Sequence, residues 1–141
     1  MANLPDHVAQ AKHNLDCAEK FLQGGGCDDW AITAAFYSAV HFAEAGFAMT
    51  EIEHTESSCP DGEEPHAYRA RAIKENFGVP CWKSYRKLRE ASFNVRYLAL
   101  WKSGRIGTAL GYYSPNDASQ FVKQDLLTVR REIQKSGVNL N

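Results

Sequence analysis

The segment from Asp29 to Thr50 (DWAITAAFYSAVHFAEAGFAMT) carries two formal charges, Asp29 and Glu44, and contains no Lys or Arg. Placed on a 3.6-residue period, Ile32, Phe36, Val40, Ala43 and Phe47 cover one side. Trp30, Ala34, Tyr37, His41, Glu44 and Ala48 cover the other. A helix that is apolar nearly all round must be covered by neighbours on several sides, so this segment predicts the central helix of a bundle. Tyr37, His41 and Glu44 recur at i, i+4 and i+7, a polar ladder on a buried element and the first place to seek a site.

The remaining apolar periodicity supplies four more helices and no convincing strand. Helix 1 runs from about Pro5 to Leu22, with Val8, Ala11, Leu15, Ala18 and Leu22 as its stripe, and Gly24-Gly25-Gly26 ends it. Asp28 or Asp29 is then placed to cap helix 2. Pro65 opens helix 3, with His66, Ala70, Ile73 and Phe77 on one stripe, and Gly78-Val79-Pro80 breaks it. Helix 4 spans about Trp82 to Leu100, with Tyr85, Leu88, Ser92, Val95 and Ala99 facing the core. Ser114-Pro115 starts helix 5, whose buried side is Ala118, Val122, Leu126, Val129 and Ile133. The expectation is an all-α, up-and-down bundle of about five helices. An acidic loop (50–64) and a Gly-rich loop (101–114) interrupt it.

A chain of 141 residues is of ordinary single-domain size, and all of it is assigned to one domain. The N-terminal MANLPDHV lacks the basic and apolar regions of a signal peptide, and no apolar run reaches the ~20 residues that span a bilayer. Cys17, Cys27, Cys59 and Cys81 have no CxxC spacing, which fits reduced thiols in a cytoplasm. Net charge is −1, yet residues 1–64 hold twelve acids and two bases, and residues 65–141 hold five acids and fourteen bases. The simpler reading is that the two halves neutralise each other. The sharper one is that the basic half offers a face to an anionic ligand, with the acidic loop as its internal competitor.

Phe36-Tyr37-Ser38-Ala39-Val40-His41 in helix 2 resembles the second helix of HEPN-domain proteins, as do His66-x-x-Arg69 and Tyr85-x-x-Leu88-x-x-x-Ser92-x-x-x-Arg96-Tyr97. The resemblance covers residues 5–135 through short, degenerate motifs. It implies a small helical bundle, commonly a homodimer, in prokaryotic defence, toxin–antitoxin or RNA-processing systems, with an operon-encoded protein as a possible partner. Many HEPN proteins are metal-independent RNases that use an Arg followed, after a spacer of four to six residues, by a His. Here the last histidine is His66 and no Arg precedes it, so that pair is missing.

His41 beside Glu44 has the makings of an oriented general base, but a buried histidine satisfied by Glu44, Tyr37 or a carbonyl explains the same pattern. His54, Cys59 and His66 match no closed zinc signature, and no metal or other cofactor is expected. Gly24-Gly25-Gly26 lacks the strand and the Lys of a nucleotide-phosphate loop. No cysteine has a base next to it.

Helix 4 carries a second stripe, Trp82, Arg86, Arg89, Phe93, Arg96, Tyr97 and Leu100. Aromatics interleaved with arginines suit a homodimer face, here assigned to Trp82, Phe93 and Leu100. They also suit stacking on bases and contact with phosphates, assigned to Arg86, Arg89, Arg96 and Tyr97. Two functions follow. One is a non-catalytic module binding RNA, a nucleotide or a protein partner. The other is an unconventional RNase using Tyr37, His41, Glu44, His66 and Arg69, which requires at least two of those side chains to meet in one open cleft.

Overall fold

The computed structural model describes residues 3–49, 59–97 and 113–141. Five helices account for nearly all of them: α1 (Leu4–Gly24), α2 (Asp28–Met49), α3 (Pro65–Phe77), α4 (Val79–Tyr97) and α5. The last is continuous through Pro115–Gln120, a π-helical turn over Phe121–Asp125, and Leu126–Lys135. No strand occurs among the described residues, and the fold is an all-α bundle. None of these helices is long and apolar enough to cross a membrane.

Helix starts follow from local chemistry. Asn3 and Asp6 form a capping box on α1, Ser114 and Asp117 form another on α5, and each is followed by a proline in the first turn. Glu64 caps α3, its carboxylate accepting from the backbone N–H groups of His66 and Ala67 at 2.9 and 2.8 Å. Two expectations need correction. Asp28 and Asp29 lie inside the first turn of α2 and act on its dipole, because the helix begins at Asp28 and the Cys27 carbonyl accepts from Ala31 N–H. Pro80 does not break the chain. Gly78, at φ 92°, makes the turn, and Pro80 falls in the first turn of α4, where a missing N–H costs nothing.

Pairings across the core give the helix directions. His7 meets His41, Ser38 Oγ donates to the Ala11 carbonyl at 2.7 Å, and Leu22 packs on the cluster containing Ile32, so α1 and α2 are antiparallel. Gly25 and Gly26, both at positive φ, make that tight reversal. Phe36–Tyr85 and the Ile32–Val95 cluster set α4 antiparallel to α2. Phe36–His66 and Phe47–Phe77 show α2 and α3 advancing in the same sense, which is why a long segment must join them. Residues 50–58 of that segment lie outside the described residues.

The core is centred on α2, where Ala31, Ile32, Ala35, Phe36, Ala39, Phe42, Ala43, Ala45 and Phe47 are sealed. Gly46 lets three helices meet: a Cβ there would stand 2.6 Å from Phe77 of α3 and 3.0 Å from Ile133 of α5. On α5, Ala118, Val122, Leu126, Val129 and Ile133 are all buried, as their spacing requires. Consecutive four-residue steps drift off one face of a regular α-helix, and the wider π turn keeps Val122 and Leu126 aimed inward. On α4, Tyr85, Leu88, Ser92 and Val95 face the core, while Leu100 and Ala99 lie outside the described residues.

Candidate functional site

With one side of α4 committed to the core, the residues at Arg86, Arg89, Glu90, Phe93, Arg96 and Tyr97 fall together on the other. Over twelve residues this face is about 16 Å long. It forms one wall of an open cavity of about 900 Å³, lined also by Phe36 and Tyr37 of α2 and by Glu64 and His66 at the start of α3. Phe93 and Tyr97 are 47% and 60% exposed, with ring centroids 5.0 Å apart.

The arginines are held in place. Arg96 Nη1 donates to the Tyr37 hydroxyl at 2.7 Å, and the guanidinium carbon lies 5.3 Å from the Tyr37 ring centre and 4.9 Å from that of Tyr97. Arg86 lies over the Trp82 ring at 4.7 Å, with Lys74 over the same ring at 4.4 Å. Such pairs orient the cations while leaving N–H groups able to meet an anion. Arg89 Nη2 reaches Glu64 Oε2 at 3.0 Å. Burial opposes ionisation of Glu64, but the two backbone N–H groups it caps and the cation of Arg89 outweigh that and hold its carboxyl below the usual range.

Behind the cavity lies a sealed ion pair. Arg69 Nε donates to Glu44 Oε1 at 2.8 Å, and the side chains are only 4% and 3% exposed. Arg69 Nη1 lies 3.0 Å from His66 Nδ1. Burial, then the charge of Arg69, pushes the His66 pKa below its ordinary value, against the opposing pull of Glu64. The Tyr85 hydroxyl is fully buried beside Arg69, and burial pushes its pKa up against the opposing pull of that cation.

The structure divides the ladder on α2. Tyr37 lines the cavity, while Glu44 is sealed against Arg69 of α3. His41 turns to α1, its Nδ1 3.1 Å from His7 Nδ1, a histidine partner beside the Glu44, Tyr37 or carbonyl contact expected from sequence. Of the five catalytic candidates, Tyr37 and His66 share the cavity, Arg69 and Glu44 stand behind it, and His41 is elsewhere. Arg86, Arg89, Arg96 and Tyr97 all line it, joined by Phe93, which the sequence assigned to a dimer face. Trp82 packs half-buried against the core. Glu64 and Glu90 were missed, although Glu64 carried the signal of an acid immediately before an N1 proline.

His54 lies outside the described residues, Cys59 Sγ donates to the Glu63 carbonyl at 3.2 Å, and His66 is engaged by Arg69. Among the described residues no three His, Cys, Asp or Glu side chains gather as a metal site. Burial pushes the Cys81 thiol up to about 12, with Glu132 adding to the effect, so it is no nucleophile at neutral pH. Comparison with protein-family models, curated proteins and solved structures gives no match.

Proposed function

We propose that this chain is a non-catalytic binding module whose α4 cavity holds a short stretch of single-stranded RNA. One observation carries the reading: Arg96 is lodged between Tyr37 and Tyr97 in a cavity that also gathers Arg86, Arg89 and the exposed ring of Phe93. Aromatic faces that stack on bases beside cations that meet phosphates are the general equipment of single-strand grooves. A face of about 16 Å is longer than one nucleotide needs. Glu90 adds an exposed acceptor able to meet the amino and imino groups of bases. The likeness to HEPN proteins supports the same class of ligand, and the missing Arg–His pair supports binding without cleavage.

The RNase alternative is favoured by one fact, the presence of Tyr37 and His66 in the same cavity. Both are already occupied, Tyr37 by Arg96 and His66 by Arg69. Association of two copies through Phe93 and Tyr97 would bury the same rings and compete with RNA. Three measurements on the purified protein separate these outcomes. Fluorescence anisotropy with labelled oligouridylate should show saturable binding that Phe93→Ala weakens by about 1–3 kcal/mol. Gel analysis of the same RNA should show it intact after prolonged incubation without metal. Cleavage abolished by His66→Ala would establish the RNase reading, and sedimentation as a dimer without RNA binding would establish self-association.

A further inference from the structure

We infer that Glu44 and Arg69 are positioning residues that lock His66 in one tautomer, so that the cavity presents its Nε2–H as a fixed, uncharged donor to a phosphate oxygen of the bound strand. The role as donor rests on the RNA reading above; the lock itself does not.

A guanidinium has five N–H donors and no acceptor. Arg69 Nη1 stands 3.0 Å from His66 Nδ1, so that nitrogen must offer its lone pair. In a neutral imidazole the proton then resides on Nε2, the nitrogen left for the cavity. Arg69 cannot swing away to release the constraint, because its Nε is tied to Glu44 at 2.8 Å in a site closed to water. Phe36 flanks the imidazole, with ring centroids 5.6 Å apart.

Charge around the ring acts in the same direction. From α3, Arg69 and Glu64 act on His66, and from α4, Arg89 and Arg96; Glu90 of α4 and Tyr37 of α2 line the same cavity, and Glu44 of α2 lies beyond Arg69. Protonating Nδ1 would set an N–H against an N–H of Arg69 and add a charge beside three arginines. His66 therefore stays neutral at a pH where an exposed histidine is already substantially charged. It also cannot serve as a base through Nδ1, which fits a site that binds without cutting.

Histidine-selective 15N NMR tests the lock on the wild-type protein, with His66→Gln identifying the signal. The expected result at pH 6 is a neutral ring with the proton on Nε2, while Arg69→Met or Glu44→Gln raises the fraction that is protonated. A wild-type His66 already charged at pH 6, or carrying its proton on Nδ1, overturns the inference. Oligouridylate anisotropy tests the donor: His66→Gln keeps an N–H and should retain affinity, whereas His66→Leu should lose roughly fivefold, the value of one net hydrogen bond. Equal losses for both variants would overturn the donor role. A wild type with the locked tautomer that binds no oligouridylate refutes the RNA reading and leaves the lock established.

Discussion

Arg69 Nε meets Glu44 Oε1 at 2.8 Å with both side chains almost wholly buried, and this ion pair joins α3 to the C-terminal half of α2. A buried pair costs heavily to desolvate, and breaking it strands a charge. Glu44→Ala or Arg69→Ala should therefore destabilise the fold by about 3–5 kcal/mol, read from urea denaturation. Replacing both by Leu and Met together should cost much less than the sum of the single changes. Additive losses would show that the two residues act separately.

Gly46 stands where helical propensity alone would prefer Ala by about 1 kcal/mol. Its place is explained by Phe77 and Ile133, which a Cβ would meet at 2.6 and 3.0 Å. Phe77 stacks on Phe47 with centroids 5.5 Å apart and has little room to yield. Gly46→Ala is expected to lower stability by roughly 1–3 kcal/mol in spite of the better propensity. A gain in melting temperature would contradict the packing described for this junction.

The pH dependence of stability follows from His66 and Glu64. Folding depresses the pKa of His66 from an ordinary 6.5, so the unfolded chain binds its proton more readily. The stabilisation is complete above 6.5 and is lost as pH falls through the folded value. The Glu64 carboxyl is depressed from an ordinary 4.5, so its contribution also fades with acid, in a lower window. Thermal melts should thus show stability declining below pH 6.5, and His66→Gln should flatten the upper part of that decline. An unchanged profile in His66→Gln would assign the effect to other groups.

Because α2 alone lacks a charged face and is covered by every other helix, its amides should exchange most slowly. Hydrogen exchange is expected to give greatest protection across residues 32–47. Better protection of α1 or α5 would place the centre of the cooperative unit elsewhere.

Much of this architecture is legible from residue order. The five helices and the stripes of α4 and α5 follow from apolar spacing, since an apolar stripe has to be buried whatever covers it. The Arg–aromatic face of α4 is legible for the same reason, as a surplus that the core cannot absorb. Which neighbour each polar residue of α2 meets is not. Tyr37, His41 and Glu44 share a sequence stripe but diverge to Arg96, His7 and Arg69, because α1, α3 and α4 approach that stripe from different sides. Periodicity gives the face of a residue and not its partner. Nor does it reveal that Glu64 would reach Arg89, 25 residues further along the chain.

The central claim is that the cavity beside α4 meets the backbone of a single strand through its arginines. The most direct measurement is the affinity for oligouridylate across a salt series, comparing wild type with Arg89→Ala/Arg96→Ala. Each phosphate contact should contribute about 0.7 to the slope of log affinity against log salt for a single strand. The double variant is predicted to bind more weakly and to lose up to about 1.4 from that slope. Binding by wild type and variant that is equally weak, with the same salt slope, would contradict the account and leave the charge asymmetry as neutralisation within the bundle.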